Sequence, residues 1–159
     1  MGKKAREIVD LDLKDLIKDL NKAYCDEWLA YYAWWYMAQI VEGQGYEDMQ
    51  EFLEKIAKDE LEHAGELADL IIKLGGAPTN SISDLEKNAN SPYPGVPQSN
   101  SDYAKIIKIV TDAEAGAIEV YNKIAKKTFG KDHNTYQLVT HIMSEEIGHE
   151  EMFENLISK

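Results

Sequence analysis

The sequence predicts an all-α fold: a four-helix bundle in which a long crossover joins the second helix to the third. In four long stretches, apolar residues recur at spacings of three and four, the period of a helix that faces a core. Short glycine-containing connections follow the first and third stretches, which favours antiparallel neighbours there. The connection between the second and third stretches, residues 77–100, holds all four prolines and is long enough to join two parallel helices.

The first helix is predicted over residues 11–42, with Asp10 or Asp12 at its N-terminus and glycines after its end. Glu27 is the one charged residue on its apolar stripe, which consists of Leu13, Leu16, Leu20, Ala23, Glu27, Tyr31, Trp34, Ala38 and Val41. The run 28–38 is apolar all round. Because a bundle covers only one face of a helix, this run predicts a subunit interface.

The second helix is predicted over residues 46–74, since a glycine pair stops it and Pro78 prevents its resumption. In the connection that follows, residues 84–87 are expected to form one helical turn.

The third helix is predicted to begin at Ser101-Asp102 and to end before Gly130, and the fourth to cover residues 132–157. Glu114 is the only acid on the apolar stripe of the third helix, which consists of Tyr103, Ile107, Val110, Glu114, Ala117, Tyr121 and Ala125. The sequence contains no low-complexity segment and no sign of a second domain, so residues 1–159 are expected to form a single domain.

A Glu-x-x-His motif occurs twice, as Glu60 with His63 and, 86 residues later, as Glu146 with His149. Each motif lies at the centre of an apolar stripe, formed by Phe52, Ile56, Leu67 and Leu70 in one case and by Leu138, Ile142, Phe153 and Leu156 in the other. Glu27 and Glu114 are likewise 87 residues apart. The chain therefore resembles two helical hairpins of similar design.

These six residues form the ligand set of a carboxylate-bridged dinuclear metal site, with one Glu from each of two helices and Glu-x-x-His from each of the others. Four carboxylates would balance two divalent cations. By symmetry, Glu60 and Glu146 are expected to bridge the ions, and the terminal ligands to be Glu27 with His63 and Glu114 with His149. Oxygen ligands with one imidazole per ion suit iron or manganese.

Simpler interpretations exist for each residue alone. A buried Glu can be a salt-bridge partner, and a His on an apolar face is often a hydrogen-bonded core residue. No Lys or Arg lies on these stripes, however, which favours the metal site. The remaining candidates are expected to be surface residues (His133, His141), packing residues rather than redox partners (Tyr24, Tyr31, Trp34, Tyr121) and an inert thiol (Cys25).

Composition excludes several classes of function. The formal charge is −12, and the only basic cluster is Lys3, Lys4 and Arg6, so binding to DNA or anionic membranes is not expected. A single cysteine rules out an internal disulfide and any Cys₄ site. The N-terminus does not resemble a signal peptide, and the longest apolar run has 11 residues. We expect a cytoplasmic protein.

From Glu27 to His149 the chain resembles ferritin-like proteins. The segments DELEHA (59–64) and LGGAP (74–78) are similar to the second helix of bacterioferritins. The segments AE (113–114), TFGKD (128–132) and EEIGHE (145–150) are closer to the Dps-like subfamily of archaea and bacteria.

The resemblance implies a ferroxidase that binds two iron ions per subunit at the six residues and uses hydrogen peroxide or dioxygen. It also implies storage of Fe(III) in a hollow homo-oligomeric shell, which protects against oxidative stress. Ferritins that form 24-subunit shells generally carry a fifth short helix after the fourth. Only ten residues follow His149, so the resemblance implies a dodecamer instead. Leu61 occupies the position of the haem-binding methionine of bacterioferritins, so no haem is expected. The alternatives are a di-iron or dimanganese peroxidase or catalase that stores nothing, and a purely structural bundle.

Overall fold

A computed structural model of the protein describes residues 3–157. This part of the chain contains six α-helices and no β-strand. The helices are α1 (Lys3–Glu7), α2 (Leu13–Ile40), α3 (Tyr46–Lys73), α4 (Ile82–Asn88), α5 (Tyr103–Thr128) and α6 (His133–Ile157).

The four long helices form the predicted bundle. Helix α2 packs most closely against α3, and α5 against α6, so the chain consists of two helical hairpins. The crossover between α3 and α5 contains α4, which packs on α2. The predicted fold class is therefore confirmed.

Aspartates determine where three of the long helices begin. The Asp12 carboxylate accepts hydrogen bonds from the backbone N–H groups of Lys14 and Asp15, so the first long helix begins at Leu13 rather than at residue 11. Asp102 caps α5 in the same way. Asp132 accepts from the first turn of α6, which therefore begins one residue later than predicted.

Two short helices differ from the sequence prediction. Helix α1 was not predicted, and α4 extends beyond the single turn expected at residues 84–87. Neither contains a buried residue. Because both lack an apolar stripe, periodicity could not reveal them.

The core consists of two apolar clusters. One contains Trp34, Leu53 and Phe153, and the other contains Leu20 and Leu67, each among further buried residues. The predicted stripes are buried or half-buried except at Leu156, which was expected to face the core but is 39% exposed because it lies in the last turn of α6, beyond Phe153. No helix in residues 3–157 is long and apolar enough to cross a membrane.

Candidate metal centre

All six residues of the predicted ligand set converge in the middle of the bundle. Each of the four long helices contributes to this centre, and no member is more than 4% exposed. The members are Glu27 from α2, Glu60 and His63 from α3, Glu114 from α5, and Glu146 and His149 from α6.

The six residues form two overlapping groups, each of which could hold one metal ion. The first contains Glu27, Glu60, His63 and Glu146, and the second contains Glu60, Glu114, Glu146 and His149. Within each group, one potential ligand atom per residue lies within 4.8 Å of the others. Glu60 and Glu146 belong to both groups.

The carboxylate of Glu146 faces a different histidine with each of its oxygens. Its Oε1 lies 3.0 Å from Nδ1 of His63, and its Oε2 lies 3.3 Å from Nδ1 of His149. Nδ1 of His63 also lies 3.5 Å from Oε2 of Glu27 and 3.6 Å from Oε2 of Glu60. Glu146 thus has the geometry of a carboxylate that could contact an ion in each group.

Both histidines direct the other ring nitrogen away from the centre. Nε2 of His63 lies 2.8 Å from Oε2 of Glu145, and Nε2 of His149 lies 3.2 Å from Oδ2 of Asp59. A carboxylate can only accept, so Nε2 is the donor, and in the neutral imidazole Nδ1 then keeps the lone pair that a metal requires. Such outer hydrogen bonds typically orient metal-binding imidazoles.

These outer contacts were not predicted, although the two acids repeat along the sequence together with the motifs. Asp59 and Glu145 each directly precede a motif glutamate, and they are separated by the same 86 residues as the motifs themselves. Asp59 on α3 bonds to the histidine of α6, and Glu145 on α6 bonds to the histidine of α3.

Two buried aromatic residues hold carboxylates of the centre. The indole Nε1 of Trp34 donates to Oε1 of Glu60 over 3.2 Å, and the hydroxyl of Tyr121 donates to Oε1 of Glu27. Both residues were predicted to be packing residues, and each is indeed fully buried. The hydrogen bonds show that packing is only part of what they do. Tyr24 and Tyr31, by contrast, pack edge-on against Trp28.

Several polar atoms in the centre lack a hydrogen-bond partner among the described residues: Nδ1 of His63, Oε1 of Glu114 and Oε1 of Glu146. The His63 and Glu146 atoms are 3.0 Å apart but are not aligned for a hydrogen bond. Buried polar atoms without partners are rare because each costs free energy. His63 belongs to one ligand group, Glu114 to the other and Glu146 to both, so a cation in each group could satisfy these atoms, and the residues present fit metal ions.

The electrostatics of the metal-free centre favour bound protons. Burial and the nearby charge of Glu146 raise the pKa of Glu60 well above its usual range, and burial with the charge of Glu60 does the same for Glu114. Burial lowers the pKa of His63, but the carboxylates of Glu146, Glu27 and Glu60 outweigh it and raise this pKa above its usual range. Burial likewise raises the pKa of Glu146, but the adjacent carboxyl group of Glu114 and the nearby imidazoles of His149 and His63 hold this pKa below its usual range.

The other candidate residues lie outside the centre. His133 and His141 are exposed, as predicted, and Nε2 of His141 lies 3.6 Å from Glu145. Cys25 is fully buried, and burial raises the pKa of its thiol, so it is a poor nucleophile.

Known proteins of similar sequence support the resemblance to ferritin-like proteins. The ferritin-like domain family matches residues 17–159. The DNA protection during starvation protein of Pyrococcus furiosus is 31% identical over 152 residues, which cover 96% of this chain and 82% of the relative.

Among solved structures, the dodecameric thioferritin of Bacteroides fragilis, a bacterioferritin-related protein, is 34% identical. Its TM-score is 0.94, and the match covers 99% of this chain and 94% of the Bacteroides fragilis chain. Dps from Thermosynechococcus elongatus is 17% identical and has a TM-score of 0.85. The match covers 92% of this chain and 93% of the Dps chain, and at this identity it supports the fold alone.

Proposed function

The chain belongs to the ferritin-like domain family, and from this premise we propose that it is a ferroxidase and iron-storage protein. The observation that carries the proposal is the pair of four-residue groups that share Glu60 and Glu146. Two ions held side by side by shared carboxylates can give up two electrons together. This arrangement suits the reduction of peroxide or dioxygen.

Charge and ligand type support Fe(II) as the substrate. Four carboxylates balance two divalent cations, so a loaded centre is neutral in a low-dielectric core. Carboxylate oxygens with one imidazole per ion suit iron, and manganese is also compatible. In the overall reaction with peroxide, two Fe(II), one H₂O₂ and two protons give two Fe(III) and two waters.

The residues around the ligands have distinct tasks in this proposal. Trp34 and Tyr121 hold the carboxylates of Glu60 and Glu27 through their hydrogen bonds. Glu145 and Asp59 fix the ring orientation of the two histidines, which keeps Nδ1 directed inward. Protons bound by the metal-free centre leave when ions bind, since ligands must be deprotonated.

We also propose that the chain assembles into a dodecameric shell that stores the oxidised iron. The Bacteroides fragilis protein is dodecameric. On α2 of this chain, Tyr32, Trp35 and Tyr36 are 52%, 43% and 37% exposed, and the ring of Tyr32 packs with the other two. A contiguous exposed aromatic surface is typical of an interface.

Protection, in this proposal, results from removal of iron and peroxide rather than from coating DNA. The Pyrococcus furiosus relative is named for DNA protection. The present chain has a formal charge of −12, so its average field repels the phosphate backbone.

The test compares Fe(II) oxidation by the wild type and by Glu146→Ala. Each protein is first mixed with Fe(II) under anaerobic conditions, and the reaction is then started by adding peroxide or dioxygen. We expect rapid oxidation that the substitution abolishes, and light scattering should report a soluble particle of about twelve chains of 18.0 kDa that continues to take up iron. Oxidation that stops at about two ions per chain would favour a non-storing di-iron or dimanganese peroxidase or catalase. Equal behaviour of the two proteins would contradict the site and favour a structural bundle.

A further inference from the structure

The turn between α5 and α6 presents an aromatic ring to solvent. Phe129 is 69% exposed, and its ring packs edge-on against that of Tyr136, with the centroids 5.3 Å apart. The backbone N–H groups of Lys131 and Asp132 both donate to the carbonyl of Thr128 at 2.9 Å, so the turn itself is ordered. An ordered turn therefore holds a large apolar side chain at the surface, where it gains little from burial.

The same turn is a basic patch on an acidic protein. Lys126 and Lys131 flank Phe129, are exposed, and form no ion pair within residues 3–157. Lys127, by contrast, is bound to two aspartates of α2 at 2.6 and 2.7 Å. Because the formal charge of the chain is −12, two copies repel each other on average. A contact between copies is favoured where a basic patch of one meets an acidic patch of the other.

A groove of about 390 Å³ lies between the C-terminal half of α3 and the beginning of α6. Its apolar lining includes Leu70, Leu74 and Leu138, and three carboxylates and one ammonium group also line it. Two of these carboxylates belong to Glu66 and Asp69 on α3. A cavity of roughly 150 Å³ is large enough for benzene, so this groove has room for a phenyl ring.

One carboxylate oxygen of the groove lacks a hydrogen-bond donor. Oε2 of Glu66 is buried and has no partner among the described residues. A buried acceptor without a donor costs free energy. An ammonium group from outside the protomer would supply this donor, which makes the groove complementary to an apolar ring flanked by lysines.

The ring and the groove are separate parts of one protomer, and the chain's own Phe129 does not line the groove. We propose that Phe129 of one protomer occupies the α3–α6 groove of a second copy, where its flanking lysines face Glu66, and that three such contacts close a ring. The contact is head-to-tail, so a chain of contacts leaves a free Phe129 at one end and a free groove at the other until the ring closes.

Four rings of three, joined in pairs through the exposed aromatic surface of α2, contain twelve chains, the number in the Bacteroides fragilis protein. A pairwise contact through α2 alone would stop at two chains, so a shell requires a second kind of contact. The proposal rests on the proposed function only for this number of chains.

The first test is disulfide cross-linking of a variant that combines Phe129→Cys with Asp69→Cys. The native Cys25 is fully buried and should not react. After mild oxidation, a denaturing gel without reductant should show covalent species of two and three chains and none larger, because a closed ring of three has no free end.

The matched control combines Phe129→Cys with Glu47→Cys. Glu47 is also exposed on α3 but lies 22 residues before Asp69, which is about 33 Å along the helix at roughly 1.5 Å per residue. This variant should give no covalent trimer.

The second test is the particle size measured by light scattering. Phe129→Glu should leave particles of two chains, since the contact through α2 remains, whereas Phe129→Leu keeps an apolar side chain and should still form twelve. Tyr32→Glu should stop at three chains. Because Phe129 and Tyr32 are 69% and 52% exposed, circular dichroism and Zn(II) binding should match the wild type in all three variants, which shows that each is folded.

A Phe129→Glu protein that still forms twelve chains would overturn the proposal, as would covalent species longer than three chains or the absence of covalent trimers. Covalent trimers from a protein that never reaches twelve chains would support the ring and contradict the proposed shell. Failure of the wild type to oxidise Fe(II) would contradict the proposed ferroxidase, whereas covalent trimers formed by the same chain would still support the ring.

Discussion

Replacing a carboxylate shared by the two ligand groups should weaken the binding of both ions, whereas replacing a carboxylate of one group should weaken the binding of a single ion. Glu146 belongs to both ligand groups and directs one oxygen toward each histidine, at 3.0 and 3.3 Å. Glu114 belongs to one group, and its Oε2 lies 3.8 Å from Nδ1 of His149. Glu146→Gln and Glu114→Gln make the same change of charge at nearly constant volume, so they form a matched comparison.

The magnitude follows from the burial of both carboxylates, which are at most 2% exposed. Removing one member of a buried, hydrogen-bonded charge pair costs about 3–5 kcal/mol. At about 1.4 kcal/mol per tenfold, this corresponds to a loss of roughly two to three and a half decades in affinity. Glu114→Gln should therefore keep one ion near wild-type affinity, and Glu146→Gln should keep neither.

The assay is a calorimetric titration with Zn(II), which is redox-inactive, checked by the thermal stability of each variant without metal. Two binding events in the wild type should become one strong and one weak event in Glu114→Gln, and two weak events in Glu146→Gln. If Glu114→Gln loses both ions, or Glu146→Gln retains one at full affinity, the sharing of Glu146 is wrong.

Three further outcomes are expected. Glu145→Gln, which weakens the acceptor 2.8 Å from Nε2 of His63, should reduce the affinity for one Zn(II) by about 10–100-fold, and a calorimetric titration that shows no change would contradict an orienting role. Because the pKa values of Glu60 and Glu114 are raised, the metal-free fold retains protons that the unfolded chain releases above about pH 4.5. Its stability should therefore fall as pH rises above about 4.5, by up to about 1.4 kcal/mol per pH unit for each such proton, and thermal unfolding with and without saturating Zn(II) should show this slope only without metal. Tyr32→Glu places a charge on the exposed aromatic surface of α2, so light scattering should report smaller particles than the wild type, while a variant that remains fully assembled would exclude this surface as an interface.

The helices and the convergence of the six candidate ligands could be predicted because both depend on local periodicity. On a helix, residues three apart share a face, so Glu60 and His63 had to point the same way once α3 formed. The repeat of this motif after 86 residues then allowed the two halves of the centre to be compared. Residues such as Glu27 stood out because each was the only charge on an apolar stripe.

The features that were missed depend on distances across the bundle. Nothing within α6 indicates that the carboxylate of Glu145 reaches a histidine of α3, because that contact depends on how the two hairpins dock. The hydrogen bonds of Asp26 to Asn90 and Ser91 likewise depend on the path of a crossover that has no periodicity of its own. Exposed α4 was predicted too short for the same reason.

The balance of buried charge favours a metal centre over a purely structural bundle. A structural interpretation needs cationic side chains to compensate four buried carboxylates, but no Lys or Arg of the described residues is buried. The available positive partners are the imidazoles of His63 and His149, which can offset at most two of the four charges. Bound protons can neutralise the others, but they leave Oε1 of Glu114 and Oε1 of Glu146 without hydrogen-bond partners. Two divalent cations would compensate all four charges and occupy these open positions, which is why the geometry favours a site for ions over a salt-bridged core.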